Sequence, residues 1–151
     1  MKNTDYTNHI EHYKTDAEFY DYFNFNKFMV EEIKRRYQEI LHLGKPSPAK
    51  PILDIGSGRG GLILSGYPFS HYCPLDISRK NLTGIRNSTP RRVMPVSGDV
   101  FQLPFQTESF SFIILSEVLE HLSAPVQALK EIRRVLKPNG HLMVTVPFQE
   151  E

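Results

Sequence analysis

Residues 51–61 read Pro-Ile-Leu-Asp-Ile-Gly-Ser-Gly-Arg-Gly-Gly, and this stretch determines the fold. Its apolar start is short and bounded by proline and glycine, which is typical of a fully buried strand. The four glycines that follow predict a tight turn, and apolar residues resume at Leu62 as a helix begins. A strand, a glycine-rich turn and a helix form a unit that cradles nucleotides. A glycine-rich loop without a ligand is the plainer alternative.

The glycine spacing fits two classes of ligand. Gly56, Gly58 and Gly61 follow the G-x-G-x-x-G spacing of dinucleotide-binding loops, whereas Asp54 to Gly60 reads D-x-G-x-G-x-G. An acid at the end of the strand suits a ligand that carries an ammonium group, and it repels a pyrophosphate. The loop alone leaves both ligand classes open.

Size and composition describe one compact unit. A chain of 151 residues predicts a single domain. The net charge of +1, with both signs spread along the chain, argues against an extended nucleic-acid surface. Cys73, the single cysteine, lies in an apolar run and is expected to be a buried small hydrophobe. The N-terminus has no signal-like apolar core, and no apolar run could span a membrane, so we expect a cytoplasmic protein.

Residues 1–50 are expected to form an N-terminal helical segment, and residues 51–151 the core. Aromatic residues concentrate between residues 16 and 28, where they either pack onto the domain or form a lid over a ligand site. A helix follows, and Gly44 is positioned to cap its C-terminus. Its apolar face is expected to contain Val30, Ile33, Tyr37, Ile40 and Leu41.

The rest of the chain alternates strands with helices. After the first strand and a short helix, further strands are expected at residues 70–75, 92–96, 110–115 and 141–146. One helix is expected at residues 79–86 with Ser78 as its N-cap, and another from Ser123, ending at residues 138–140. This alternation predicts an α/β fold with right-handed crossovers and a doubly wound, mostly parallel five-stranded sheet.

Asp76 follows the second strand, twenty residues beyond Gly56. A nucleotide-binding βαβ unit places there the acid that accepts the ribose hydroxyls. The alternative is an N-cap or turn aspartate, but Ser78 already serves as a good N-cap for the next helix. Position and residue type favour the ribose role.

Five further motifs accompany the glycine loop in order and spacing. They are Gly98-Asp99-Val100, Leu103-Pro104-Phe105, Ser109-Phe110, Glu117 to Leu122, and residues 135–140. With them, residues 51–147 resemble the class I methyltransferases that use S-adenosylmethionine, most of all the small-molecule branch that contains the ubiquinone and biotin pathway enzymes. A domain that binds NAD would explain the glycines but not the other motifs. The resemblance implies a Rossmann-like fold, the cofactor S-adenosyl-L-methionine and a small-molecule methyl acceptor.

The resemblance also assigns the methionine end of the cofactor. It implies that Asp54 lies near the ammonium group, and that Ser116 and Glu117 border the methionine end and the transferred methyl. The loop residues that would hold the methionine part are Gly56, Ser57, Gly58 and Gly60.

The adenosine end is assigned in the same way. The resemblance implies that Asp76 takes the ribose hydroxyls, with Ile77 beside the adenine. Asp99 would accept from the adenine amino group, and Val100 would pack on the ring. A carboxylate suits both positions because it is a two-point acceptor for vicinal hydroxyls or an exocyclic amine.

The catalytic candidates are Glu117, Glu120 and His121. The sulfonium methyl is already activated, so the protein mainly has to align the acceptor, and a base helps when that acceptor is a hydroxyl. Spacing of i, i+3 and i+4 would bring the three side chains together on a helical turn, where they could also hold a divalent metal. The alternative is that both glutamates favour a helix N-terminus and His121 packs on the loop. No fourth metal ligand is identifiable, and we assign no metal.

The chain departs from the family pattern in two ways. Ser111 replaces the usual aspartate after the phenylalanine, and the chain stops at Glu151, before the helix and two strands that normally follow the fifth strand. A truncated cofactor-binding module, inactive or active only with a partner chain, therefore stays open beside the enzyme. Strand 141–146 is apolar, and we expect its edge to be covered by a second copy in a homodimer or by the N-terminal segment.

Overall fold

The structure is a computed structural model that describes residues 27–88 and 93–148. Its helices are α1 (Lys27–Gly44), α2 (Gly61–Leu64), α3 (Arg79–Ser88) and α4 (Pro125–Val135), with a 3-10 helix at Leu119–His121. Its strands are β1 (Ile52–Ile55), β2 (Tyr72–Asp76), β3 (Val96–Ser97), β4 (Phe110–Ser116) and β5 (Leu136–Thr145). Most of the predicted aromatic segment and the start of the predicted third strand lie outside the described residues. Within them, no helix is both long and apolar enough to cross a bilayer.

The five strands form one sheet in the order β3-β2-β1-β4-β5, and every neighbouring pair is parallel. This confirms the predicted α/β, doubly wound, Rossmann-like sheet. The order runs outward in opposite directions from β1, with β2 on one side and β4 on the other. The glycine loop that follows β1 therefore lies at the topological switch point, where open α/β sheets bind their ligands.

Both faces of the sheet are covered, and alternate strand residues enter two separate cores. Leu53 and Ile55 of β1 pack on the side where α4 contributes Ala128 and Ile132. Ile52 points to the other core, which contains residues of α1 and α3. All four β1 residues are buried, which explains why the strand is a continuous apolar run apart from its acid.

Several boundaries differ from the prediction. The third strand is shorter, because only Val96–Ser97 pairs continuously with β2 and Val93 makes an isolated bridge. Helix α4 begins at Pro125 rather than Ser123, with Ala124 as an N-cap that offers no side-chain bond. It ends at Val135 because Leu136 already pairs with β4. The pairing then shifts to His141, so residues 137–140 form an irregularity inside β5 instead of ending the helix.

Gly44 does not cap α1 as predicted. The left-handed residue is Lys45, with φ 44°, and its N–H donates to the carbonyl of Leu41 at 2.9 Å. Gly44 instead lies against the sheet, where an added Cβ would stand 2.6 Å from two ring carbons of Phe112. The glycine is needed for close packing of the helix end on β4.

Candidate functional site

The predicted cofactor residues come together at one edge of the sheet. Because all strands are parallel, their carboxyl ends meet there, and the segments that follow them form a single crevice outside the sheet. The segments after the first four strands begin at Gly56, Ile77, Gly98 and Glu117. The sequence order of the motifs is thus converted into proximity by the topology.

The backbone of the glycine loop adopts conformations that residues with a side chain rarely adopt. Gly56, Gly58 and Gly60 have φ values of 68°, 52° and 85°, all in the left-handed region. The loop is tied to β2 by the carbonyl of Leu75, which accepts from the N–H groups of Gly56 at 2.8 Å and Ser57 at 3.1 Å. These conformations explain the alternating glycines of the motif.

Two features of this loop fit a polar ligand. The hydroxyl of Ser57 is buried and has no hydrogen-bond partner among the residues that the structure describes. A Cβ added at Gly58 would meet no described atom within 4 Å, so the backbone borders open space there. An unpartnered buried hydroxyl is costly without a ligand or water. The residues present therefore fit a cofactor seated on the loop.

Asp76 is tied to the same loop. Its carboxylate accepts the N–H of Gly58 at 2.7 Å and the N–H of Ser78 at 2.8 Å. Burial raises its pKa, and these backbone hydrogen bonds oppose the rise. Asp76 therefore has the turn role that the sequence offered as the alternative to ribose binding. Ser78 is the N-cap of α3, and its hydroxyl accepts the N–H of Asn81 at 3.4 Å. The carboxylate borders the open space at Gly58, so the ribose role stays a prediction.

Asp54 lies beneath the loop and is fully buried. The hydroxyl of Tyr37 donates to its two oxygens at 2.9 and 3.1 Å, and the hydroxyl of Tyr72 donates at 2.7 Å. Burial raises the pKa of Asp54 to about 7, against the effect of both tyrosine bonds. Burial likewise raises the pKa of each tyrosine well above its ordinary value. The expected proximity to an ammonium group stays a prediction.

Tyr37 was identified from the sequence only as part of an apolar helix face. The one indication of a polar role was its phenol hydroxyl, because a buried tyrosine hydroxyl usually has a hydrogen-bond partner. The partner lies 17 residues away on β1, and helix periodicity carries no information about it.

The segment after β3 is fixed by its own turn. Asp99 accepts the N–H of Phe101 at 2.9 Å, and the N–H of Gly98 donates to the carbonyl of Asp76 at 3.2 Å. The side chain of Val100 is buried in the core cluster. Asp99 and Val100 thus lie beside the end of β2, and their adenine roles stay predictions.

Helix α4 contacts the loop that follows Val100 through an ion pair, Glu131 with Arg134, that was not predicted from the sequence. The Arg134 guanidinium donates to the carbonyls of Phe105 at 2.7 Å and Leu103 at 3.0 Å. Glu131 accepts the N–H of Leu103 at 3.0 Å and pairs with Arg134 at 2.8 Å. The hydrogen bond from Arg134 lowers the pKa of Glu131. This brace holds the chain just beyond the predicted adenine residues.

The predicted helical turn over Glu117, Glu120 and His121 does not form. Glu117 has φ 56°, and only Leu119–His121 is helical, as a 3-10 turn. Glu120 and His121 approach each other at 3.8 Å, whereas Glu117 faces Arg36 of α1 at 3.9 Å. Within residues 27–88 and 93–148, no three His, Cys, Asp or Glu residues are grouped to hold a metal ion. Ser116 bonds Thr145 at 2.9 Å.

Comparison with known proteins identifies the family to which this site belongs. Residues 53–144, more than half of the chain, match the family described as the methyltransferase domain. A demethylmenaquinone methyltransferase from Chlamydia felis is 36% identical over 104 residues, which cover 66% of this chain and 44% of that protein. A ubiquinone/menaquinone biosynthesis C-methyltransferase from Ruegeria sp. is 32% identical over 107 residues, which cover 66% and 43%. The chain spans less than half the length of these curated relatives.

A solved structure agrees with the fold. The PH0226 protein from Pyrococcus horikoshii superposes with a TM-score of 0.71 at 26% identity, over 84% of this chain and 64% of that one. The family match includes the glycine loop, Asp76, Asp99 and the segment after β4. The chain therefore belongs to the family of class I S-adenosylmethionine-dependent methyltransferases, as the resemblance predicted.

Proposed function

We propose that this chain binds S-adenosyl-L-methionine and transfers its methyl group to a small-molecule acceptor. The observation that carries the proposal is the glycine loop at the switch point, where no described residue bonds the Ser57 hydroxyl or fills the space at Gly58. Family membership supports S-adenosylmethionine over NAD as the ligand. The names of the relatives, which are quinone-pathway methyltransferases, support a small organic acceptor.

The cofactor residues follow from this placement. Ser57 and the loop glycines would hold the methionine part, and Asp76 the ribose hydroxyls beside Gly58. Asp99 would accept from the adenine amino group, between the side chains of Ile77 and Val100. The proposal is supported by the carboxyl-edge position of all these segments.

The cofactor supplies an electrophilic methyl on a positively charged sulfur. The chain has to orient the acceptor for in-line displacement and to remove a proton where the acceptor is a hydroxyl. Glu117 is the candidate base nearest the carboxyl edge of the sheet, because it follows β4 directly, and its partly buried carboxylate faces Arg36 at 3.9 Å. Glu120 and His121 lie one turn farther on, where they would line the acceptor side and take up the proton.

A second function has one observation in its favour. Among the described residues, the Ser57 hydroxyl without a partner and the open space at Gly58 require only that a cofactor binds, so they also fit a cofactor-binding module that is inactive alone or acts with a partner chain. Incubation with S-adenosylmethionine and a metabolite panel distinguishes the two. Release of S-adenosylhomocysteine is expected of the enzyme, and binding without release is expected of the module.

We further propose how the chain is organised and assembled. Residues 1–50 would serve as an N-terminal helical or lid segment on the core of residues 51–151, and two copies would pair through the edge of strand 141–146. The pairing is supported by the outer side of β5, with which no strand pairs among the residues that the structure describes. A cytoplasmic location is supported by the single, buried cysteine, which suits a reducing compartment.

Calorimetric titration tests the cofactor. We expect heat of binding from S-adenosylmethionine and S-adenosylhomocysteine and none from NAD. Gly58→Ala should weaken binding at least tenfold, because its new methyl would occupy the open space over the loop. Gly66→Ala is the matched control, since Gly66 also has a left-handed φ, 75°, and no described atom lies within 4 Å of its Cβ position.

Both alanine variants should lose about 1 kcal/mol of stability from the left-handed backbone, and only the first should lose affinity. Tight binding of NAD with no response to either sulfur ligand would overturn the assignment. Equal affinity of the two variants would remove the loop from the site.

A further inference from the structure

Tyr37 joins helix α1 to the end of β1 through a buried polar contact. Its hydroxyl donates to both oxygens of Asp54, at 2.9 and 3.1 Å. The tyrosine is 4% exposed and the carboxylate 0% exposed, so water does not compete for this contact. Asp54 precedes Gly56 by only two residues. A displacement of Tyr37 would therefore act directly on the start of the glycine loop.

The ring of Tyr37 reaches the other end of the same loop. A Cβ added at Gly61 would collide with three carbons of this ring. The backbone of Gly61 is not left-handed, unlike that of Gly56, Gly58 and Gly60. Gly61 is therefore a glycine because Tyr37 occupies the space beside it. One side chain of α1 contacts the loop before its first glycine and after its last turn.

Packing of the core does not explain why Tyr37, Tyr72 and Asp54 form a buried hydrogen-bond network. Phenylalanine at positions 37 and 72 with an apolar residue at position 54 would fill the same space, and replacing all partners of a buried polar network is often neutral or stabilising. A satisfied buried network instead fixes one orientation of the elements that it joins. Here the elements are α1, β1 and β2, and the loop between β1 and α2 is what they surround.

We propose that Tyr37 is a positioning residue for the cofactor. Through the Asp54 carboxylate and its ring contact at Gly61, it holds residues 56–60 in the conformation that accepts S-adenosylmethionine. In this role Asp54 acts on the cofactor through the loop, because its oxygens are buried and accept two tyrosine hydroxyls. This role rests on the proposed function, and it makes α1 part of the site.

Two conservative variants separate positioning from stability. Tyr37→Phe and Tyr72→Phe each remove one hydroxyl that donates to Asp54, but only Tyr37 also contacts the loop at Gly61. Both variants should melt at similarly lowered temperatures. At a temperature where both are folded, Tyr37→Phe should raise the Kd for S-adenosylhomocysteine at least fivefold, and Tyr72→Phe less than twofold.

Gly61→Ala provides a second route to the same readout, because the added methyl displaces the Tyr37 ring, and with it the hydroxyl, without removing any group of the tyrosine. It should also raise the Kd at least fivefold, and the double variant Tyr37→Phe with Gly61→Ala should lose less than the product of the single losses. Unchanged affinity in Tyr37→Phe, equal losses in both tyrosine variants, or fully multiplicative losses would each overturn the positioning role. Absence of binding by the wild-type chain would overturn the proposed function itself.

Discussion

At the scale of single residues, the buried carboxyl group of Asp54 makes the stability of the fold depend on pH. Its pKa is raised from 3.8 to about 7, mainly by burial. In the unfolded chain the group ionises near its ordinary value, so between about pH 4 and pH 7 the folded state binds more protons. The free energy of unfolding therefore falls as the pH rises through this window, by an amount on the order of a few kcal/mol, and levels off above it.

Asp54→Asn isolates this contribution, because asparagine keeps an acceptor for a tyrosine hydroxyl and does not titrate. Urea unfolding of both proteins at several pH values between 4.5 and 7.5 gives the difference in unfolding free energy. The stability of the wild type relative to the variant should decrease as the pH rises. Burial also raises the pKa of Asp76, which is present in both proteins, so the difference between them reports Asp54 together with its electrostatic interaction with Asp76. A difference that is constant or grows with pH would contradict the raised pKa.

At the scale of secondary-structure elements, two helix glycines have opposite surroundings. Gly44 ends α1 against the ring of Phe112, 2.6 Å from where a Cβ would lie, whereas no described atom lies within 4 Å of the Cβ position at Gly84 in α3. Replacing glycine by alanine in a helix stabilises by up to about 1 kcal/mol when nothing interferes. Gly84→Ala should therefore gain roughly 0.5–1 kcal/mol, and Gly44→Ala should lose about 1–3 kcal/mol by overpacking.

Thermal and urea unfolding of the two alanine variants measure this prediction. The pair shares the substitution and the helical setting, so the difference between the two reports the contact with the sheet. Equal gains in both variants would mean that α1 adapts its position over β4 without cost.

Elements were predictable where burial leaves a local pattern. β1 and β4 are continuous apolar runs because both faces of the sheet are covered, and Ser78 marks the start of α3. The boundary at Leu136 was not predictable, because strand pairing with Phe110 overrides the helix stop signal at residues 138–140. The turn at Glu117 was not predictable either, because the N–H of Glu117 donates to the carbonyl of Thr145 on β5, a contact distant in sequence.

At the scale of the whole molecule, the order of motifs was enough to predict which segments meet. Because the strands are parallel, the glycine loop, Asp76, Asp99 and Glu117 lie at one edge of the sheet. This placement does not depend on the identity of the residues between the motifs. The contacts that support those residues were not predictable. Arg134 bonds carbonyls 29 and 31 residues away, and a pairing of that separation leaves no periodic signal in the sequence.

The edge of the sheet leads to a prediction about assembly. In the part of the chain that the structure describes, no strand pairs with the outer side of β5. Residues 141–146 contain no Asp, Glu, Lys or Arg, and Val144 is 40% exposed. An uncharged edge with unpaired backbone groups is a template for another strand. Two copies related by a two-fold axis would pair their β5 strands antiparallel and close the assembly as a dimer.

Sedimentation at low micromolar concentration should therefore show a dimer of the 17.4 kDa chain. Val144→Lys should shift the protein to monomer, because it brings like charges together at the paired edges and removes apolar surface. Val126→Lys is the matched control, since Val126 is also exposed but lies on α4, away from the edge. A monomeric wild type would contradict the pairing. Equal dissociation by both lysine variants would place the interface elsewhere than β5.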